Sequence, residues 1–223
     1  MKEAKIFDVF LFLNELDLLE LRLETLYEFV DYFVITELSQ TFSGKSKPSL
    51  FEKEKKRYKK YSDKIIYNYV SSEKLKELET KKYNNYISDF NGIVSHQNNG
   101  KSYKYLHKTL KREIAHRDSA ILGFFDIAKP NDYILLSDLD EIPNPLAIRK
   151  AVLEKEEEIS YFKMEWYLYW MDNRISKPWF GTVLLKFKYL KGRSLNSIRY
   201  ASSDEKNVPG NIITNAGWHF SYL

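Results

Sequence analysis

Asp132-Tyr133-Ile134-Leu135-Leu136-Ser137-Asp138-Leu139-Asp140-Glu141-Ile142-Pro143-Asn144-Pro145 is the stretch from which the fold is read. Its first half is an apolar run with the length and composition of a buried strand. Its second half carries three carboxylates within four residues, then two prolines. Pro143 has no N–H for a ladder hydrogen bond, so pairing should stop near it. In an open α/β sheet, ligands bind beyond the carboxyl ends of the strands. Several negative charges therefore stand where a ligand site is expected, and their mutual repulsion calls for a cation. A divalent metal with oxygen ligands, Mg²⁺ or Mn²⁺, meets that need. The plainer alternative is a strand that ends in a solvated acidic turn.

Upstream, Ile6 to Leu13 reads as a largely buried first strand with Asn14-Glu15 at its carboxyl end. Leu16 to Val30 has a broad apolar face at helical spacing, with Asp17, Glu20, Arg22, Glu24 and Glu28 among the leucines. Tyr32 to Glu37 is a second strand, so about 30 residues form a βαβ unit. A polar loop follows, then a charged helical stretch from Lys53 to Tyr61 and a third strand from Lys64 to Val70. Residues 71–100 are polar, Asn-rich and without a clean period, and are read as a mobile insertion. Lys101 to Phe125 is helical.

Downstream, Pro145 to Glu158 reads as a helix, with Asn144 as its N-cap and Pro145 at its first position. Ile159 to Met171 is a strongly aromatic strand, Gly181 to Tyr189 another strand, and Lys191 to Asn211 loop-rich. No internal repeat or linker occurs, so one domain over 1–223 is expected, of class α/β.

The bulk properties exclude several classes. The 223 residues include no cysteine, which removes disulfide frameworks and zinc–thiolate sites. The 35 Lys and Arg nearly balance 31 Asp and Glu, so nucleic-acid binding is not demanded. The mildly basic surface would suit anionic substrates or peripheral contact with anionic lipids. No apolar run approaches the ~20 residues of a membrane span. The N-terminus lacks a small-residue cleavage site, so a cytoplasmic setting without a signal peptide is expected. No Gly-x-Gly-x-x-Gly follows the first strand, no Walker lysine loop occurs, and no Gly-x-Ser-x-Gly is present. Dinucleotide-binding, P-loop and hydrolase-triad readings therefore lose support.

In an extended segment Asp138 and Asp140 share one side, while Glu141 points away unless the backbone turns. Glu37, at the end of the second strand, suits a ribose or base edge and equally a loop or helix cap. Arg112, Glu113, Arg117 and Asp118 form a charged run; either arginine could hold phosphate oxygens, or the run is a solvated helix face. His219, between Trp218 and Phe220, is a core residue or a late ligand to the aspartate pair. Glu165 and Asp172 lie in the aromatic stretch and, with Glu141 and Asp204, are unresolved candidates for a general base. Trp166, Trp170 and Trp179 suit sugar stacking or core packing.

Several phrases, in order along the chain, resemble glycosyltransferase family 17, which includes the β-1,4-mannosyl-glycoprotein 4-β-N-acetylglucosaminyltransferases. They are Phe10-Leu-Phe-Leu-Asn-Glu-Leu-Asp-Leu-Leu-Glu-Leu-Arg-Leu23, Val30-Asp-Tyr-Phe-Val-Ile-Thr-Glu37, Thr41-Phe-Ser-Gly-Lys45, Arg117-Asp118, Ser137-Asp-Leu-Asp-Glu-Ile-Pro143 and Ala216-Gly-Trp-His-Phe-Ser221. The resemblance implies a GT-A fold with a mixed, mainly parallel sheet, a nucleoside-diphosphate sugar donor (by default UDP and N-acetylglucosamine), a glycan acceptor, Mn²⁺ or Mg²⁺, and inversion at the anomeric carbon. By motif, Asp138 and Asp140 correspond to the Asp-x-Asp metal and diphosphate pair and Glu37 to the nucleotide-side acid; by analogy with other GT-A enzymes, His219 corresponds to the late metal or diphosphate ligand. Asn14, Glu15, Arg112, Arg117 and Asp118 fall on the donor side. The animal members carry a membrane anchor and relatives continue past the Gly-Trp-His segment, which leaves room for an absent C-terminal acceptor-binding extension. Two other readings share the acidic motif: a metal-dependent nucleotidyltransferase or hydrolase, and an inactive sugar- or nucleotide-binding module.

Overall fold

The computed structural model describes residues 4–41, 43–79, 83, 108–154, 159–201 and 208–222. β1 (Ile6–Leu11), α1 (Leu16–Leu26) and β2 (Tyr32–Leu38) form the expected βαβ unit. β1 and β2 run parallel, with Phe7 opposite Tyr32 and Leu11 opposite Thr36. β3 (Ile65–Val70) extends the sheet beyond β2, and β4 (Tyr133–Asp138) lies parallel to β1 on its other side. Between β2 and β3 come the short α2 (Leu50–Glu54) and a 3₁₀ turn over Lys59–Tyr61, in place of one continuous charged helix.

Beyond β4 the sheet changes character. β7 (Arg174–Lys186) is antiparallel to β4, and β6 (Ser160–Leu168) is antiparallel to β7. β9 (Gly217–Ser221) joins β6 in parallel, and β5 (Glu141–Pro143) pairs with β9 antiparallel. The nine-stranded order is β3-β2-β1-β4-β7-β6-β9-β5, with β8 (Asn211–Ile213) on β6. The sheet is therefore mixed, not mainly parallel as expected. β7 also begins well before Gly181: it runs through Pro178, which irregular register between Met164 and Trp166 of β6 accommodates.

Alternation sorts the strands' side chains onto two faces. Phe10, Phe12, Leu135 and Phe162 join α1 and α5 (Pro145–Leu153) in one apolar cluster. Val9, Leu11, Ile134, Leu136 and Val183 join Ala120, Ile121 and Phe124 in the other. Burial on both faces explains why β1 and β4 read as near-continuous apolar runs. α5 starts as its sequence requires: Asn144 Oδ1 accepts the N–H of Leu146 at 3.0 Å, and Pro145 occupies the first turn.

α3 (Ser72–Leu75) opens the 71–100 stretch, and Leu78 and Tyr83 are buried in the second cluster; the rest of that expected insertion falls outside the described residues. So does the first part of the Lys101–Phe125 helix, which is seen as α4 (Lys108–Ser119) followed by a 3₁₀ turn over Ala120–Gly123. The Lys191–Asn211 segment, read as loop, holds α6 (Leu195–Tyr200), with a capping box between Ser194 and Ser197. Among the described residues no helix is long and apolar enough to cross a membrane.

Candidate active site

β4 delivers the acidic motif at the seam between the parallel and antiparallel halves of the sheet. The chain turns at Leu139–Asp140 instead of continuing extended, so the two aspartates do not share the side that a strand register would give them. Arg22 of α1 organises this turn. Its Nη1 donates to the carbonyl oxygens of Asp138 (3.1 Å), Leu139 (3.3 Å) and Glu141 (2.7 Å). Its Nε and Nη2 grip both oxygens of Asp8 on β1 at 2.8 and 2.6 Å, and Nη2 also reaches Ser137 Oγ. Both side chains of the pair are 0% exposed. Burial pushes the Asp8 carboxyl up and the Arg22 guanidinium opposes it. Arg22 thus lies in the core and not on the polar side of its helix. Its planar fork of donors supplies what a lysine could not.

Each acid of the motif meets a different partner. Asp138 Oδ1 accepts from Arg117 Nη2 of α4 at 3.0 Å, and Oδ2 faces Arg199 Nη2 of α6 at 3.4 Å. Burial works to raise the Asp138 pKa, but the two guanidinium groups prevail and hold it well below the usual carboxylate range. Glu141 is enclosed at 0% exposure. It ion-pairs with Arg199, accepts from Trp179 Nε1 at 2.6 Å and accepts the backbone N–H of Asp138 at 3.0 Å. Burial raises its pKa against the pull of Arg199. Of the base candidates, Glu141 is therefore occupied in holding the motif together. Gly181 sits against it: a Cβ there would come within 2.3 Å of the Glu141 carboxyl carbon and 2.5 Å of Trp179 Nε1.

Asp140 points to the C-terminal strand. Its Oδ2 lies 3.3 Å from His219 Nε2, which also meets Ser221 Oγ at 3.1 Å. Trp166 Nε1 donates to the same Ser221 oxygen at 2.9 Å. The His219 ring is flanked by Trp179, 4.2 Å away between centroids, and by Trp166, stacked at 6.0 Å with its plane 18° from the imidazole's. Pairing of β5 with β9 sets Glu141 opposite His219, and Phe220 N–H bonds to the Asp140 carbonyl at 2.8 Å. Gly217, at φ +140°, is required for this approach, since a Cβ there would lie 2.3 Å from the Ile142 carbonyl oxygen.

The donor set bears on whether a divalent cation fits. Among the described residues no three His, Asp or Glu side chains stand together as a metal site. Asp140 and His219 nevertheless present a hard oxygen and an imidazole nitrogen close enough to share one ion. A cation completed by diphosphate oxygens and water needs only one or two protein ligands. Asp138 differs, because arginines face both of its oxygens.

A cleft of about 350 Å³ opens beside Asp138, walled by Glu113 and Arg117, by Trp166 and Trp179, and by Arg199 and Tyr200. Glu113, noticed in the sequence only as part of a charged run, is held by Arg117 at 3.4 Å. Glu165 does not line this cleft; it binds Tyr167 Oη at 2.7 Å and Arg174 at 3.2 Å on a neighbouring surface. Asp172 is exposed in the β6–β7 turn, and Asp204 falls outside the described residues.

The remaining donor-side residues separate. Of the two roles open to Glu37, the structure shows the cap: buried, it accepts from the N–H groups of Leu50 (2.8 Å) and Phe51 (3.1 Å) at the start of α2, from Tyr67 Oη at 2.7 Å, and from Lys47. Asp118 is likewise buried and caps α6 through the Asn196 N–H at 2.9 Å. Glu15 folds back onto the N–H groups of Leu13 and Asn14. The Arg112 guanidinium lies against Gly44. Arg199 and Asn196 were not anticipated, because their helix is short and its polar flanks read as loop.

No curated protein matches the chain. The family model described as Glycosyltransferase family 17 matches residues 1–223, the whole sequence, and the motif quoted at the outset stands at the mouth of a charged, aromatic cleft. The chain therefore belongs to glycosyltransferase family 17 and is a glycosyltransferase.

Proposed function

We propose that the protein is a metal-dependent inverting glycosyltransferase on a GT-A scaffold, moving a sugar from a nucleoside-diphosphate donor, UDP by family default, to a glycan hydroxyl. The observation that carries this reading is the convergence of Asp140 and His219 at 3.3 Å, beside a cleft walled by Asp138, Arg117, Arg199 and two tryptophans. Asp140 and His219 are the residues that would hold Mn²⁺ or Mg²⁺. Such an ion supplies charge neutralisation to a departing diphosphate.

The protein's own groups then divide the work. Arg117 and Arg199 keep Asp138 ionised and fixed, so that it presents an oriented acceptor to donor hydroxyls. Trp166 and Trp179 offer flat apolar faces to a sugar ring. We assign proton removal to Glu113, which lines the cleft, whereas Glu141 is enclosed and Glu165 and Asp172 lie elsewhere. The acceptor oxygen bonds to the anomeric carbon as the carbon–phosphate oxygen bond breaks on the opposite face. The acceptor proton passes to Glu113 and the nucleoside diphosphate leaves.

A thermal-shift screen of UDP and UDP-sugars with and without Mn²⁺ tests donor and metal together, because ligands of the native state raise its apparent stability. A metal-dependent shift that disappears in Asp140→Asn and in His219→Asn is the expected result. UDP binding indifferent to chelator and to both substitutions would refute the metal assignment. Product analysis showing sugar phosphate plus nucleoside monophosphate would refute transfer itself.

A further inference from the structure

A second concavity of about 340 Å³ borders the first, and Lys177 and Pro178 line both. Its wall carries Lys163, Glu165, Arg174 and Lys177, together with the neutral polar groups of Ser176, Thr214 and Asn215. Three cations thus face one carboxylate. That carboxylate is already engaged on both oxygens, by Tyr167 Oη at 2.7 Å and by Arg174 at 3.2 Å. Lys163 and Lys177 have no ion-pair or hydrogen-bond partner for Nζ among the described residues. The excess is local, since the chain as a whole carries only +4 over 223 residues.

Alternation along β6 explains the grouping. Lys163, Glu165 and Tyr167 fall on one side of the strand, while Trp166 turns to the first cleft. The two concavities are the two sides of one hairpin, meeting at the Lys177–Pro178 rim. A ligand with its reacting end between the tryptophans would cross that rim and enter a cationic, donor-rich notch.

We propose that this notch is an acceptor subsite for an oxyanion, a phosphate or carboxylate group carried by the glycan next to the sugar that receives the transfer. The inference rests on the transferase reading above. Lys163 and Lys177 supply the charge-assisted hydrogen bonds, Arg174 adds field while remaining tied to Glu165, and Ser176, Thr214 and Asn215 offer neutral contacts to sugar hydroxyls. The acceptor class is then an acidic glycan, not a neutral one.

Direct binding to the whole chain tests this without turnover. Isothermal titration would compare three probes: a neutral hexose disaccharide, the same disaccharide bearing a 6-phosphate, and the same bearing a 6-carboxylate. The anionic probes should bind about tenfold more tightly than the neutral one, the order expected of two solvent-accessible charged contacts. The preference should shrink by about threefold in Lys163→Gln, nearly vanish in Lys163→Gln/Lys177→Gln, and weaken at high salt. Whichever anionic probe binds more tightly identifies the group. Equal affinity for all three probes, absence of binding by any of them, or a preference that survives the double substitution would overturn the proposal. UDP-induced stabilisation of the unmodified protein, measured in parallel, reports on the donor reading separately.

Discussion

Replacing Arg22 with methionine should separate the two tasks of this buried guanidinium. The substitution keeps a long apolar side chain in α1 but removes every hydrogen bond to Asp8, Ser137 and the carbonyl oxygens of Asp138, Leu139 and Glu141. Removing one partner of a buried pair costs about 3–5 kcal/mol, because the other charge stays enclosed. Asp8 can relieve part of that by taking a proton, since burial already pushes its carboxyl up. Three carbonyls losing a donor add about 1 kcal/mol each at the low end, less than additively. A total on the order of 5 kcal/mol is a third or more of a typical domain's stability. At about 2–4 °C per kcal/mol for this size, the midpoint should fall by about 10–20 °C. The pair Asp8→Leu/Arg22→Met removes the stranded charge and should recover most of that loss. It cannot recover the anchor on the acidic turn, so kcat/KM should stay about 10- to 100-fold down, the order of 1.4–2.7 kcal/mol in the barrier. Urea unfolding and initial-rate kinetics on the three proteins read both quantities. A loss below about 1 kcal/mol in Arg22→Met would refute the buried-pair reasoning. Full activity in the stabilised double variant would refute the anchoring role.

Three further outcomes follow from the same contacts. His116 is buried with Nε2 3.1 Å from the Thr36 carbonyl, and burial depresses its pKa from 6.5 to about 3. Its unfolded form takes a proton that the folded form refuses, so stability should fall as pH drops from about 6.5 towards 3; His116→Gln should remove about 2–3 kcal/mol of the loss between pH 7 and 4.5, read from urea midpoints. Gly181→Ala should displace the Glu141 carboxylate from Arg199 and Trp179 and cost about 1–3 kcal/mol in urea unfolding, with a matching fall in the UDP-dependent thermal shift. Glu37→Gln should lower stability by about 2 kcal/mol through the weakened start of α2 while leaving KM for a UDP-sugar within about twofold below the unfolding transition; a large KM change would restore a nucleotide role for Glu37.

Local pattern carried much of this architecture. The βαβ unit, the central strand, the Asn144–Pro145 helix start and the stop at Pro143 all follow from short-range rules, and the structure shows each. What escaped depends on distant partners. Arg22 looked like a polar residue on an amphipathic helix, but an aspartate inside the apolar run Ile6–Leu13 was the sign that a buried counter-charge was needed. The extent of the antiparallel half is hidden because β7 begins seven residues ahead of Gly181, where its apolar run is read, and carries Pro178. Strand alternation alone makes Asp138 and Asp140 one extended pair; the turn between them is held by three carbonyls bonding to a residue more than a hundred positions earlier, which no window on the motif contains. The Asp140–His219 approach is open in the residues as one of two roles for His219, and the family resemblance favours it; no local rule links the turn before β5 to β9.

The place of β9 also has a bearing on biosynthesis. It is inserted between β6 and β5, both of which precede it in the chain. Until residues 217–221 have emerged from the ribosome, β5 has no ladder partner among the described strands, Asp140 lacks the His219 imidazole, and the tryptophans of the cleft lack the ring they flank. Domains fold as they emerge, amino-terminal parts first, so the parallel half can form early while the antiparallel half waits for its last strand. A nascent or prematurely terminated chain would keep much of its core while the candidate site, which needs His219 beside Asp140, stays unassembled.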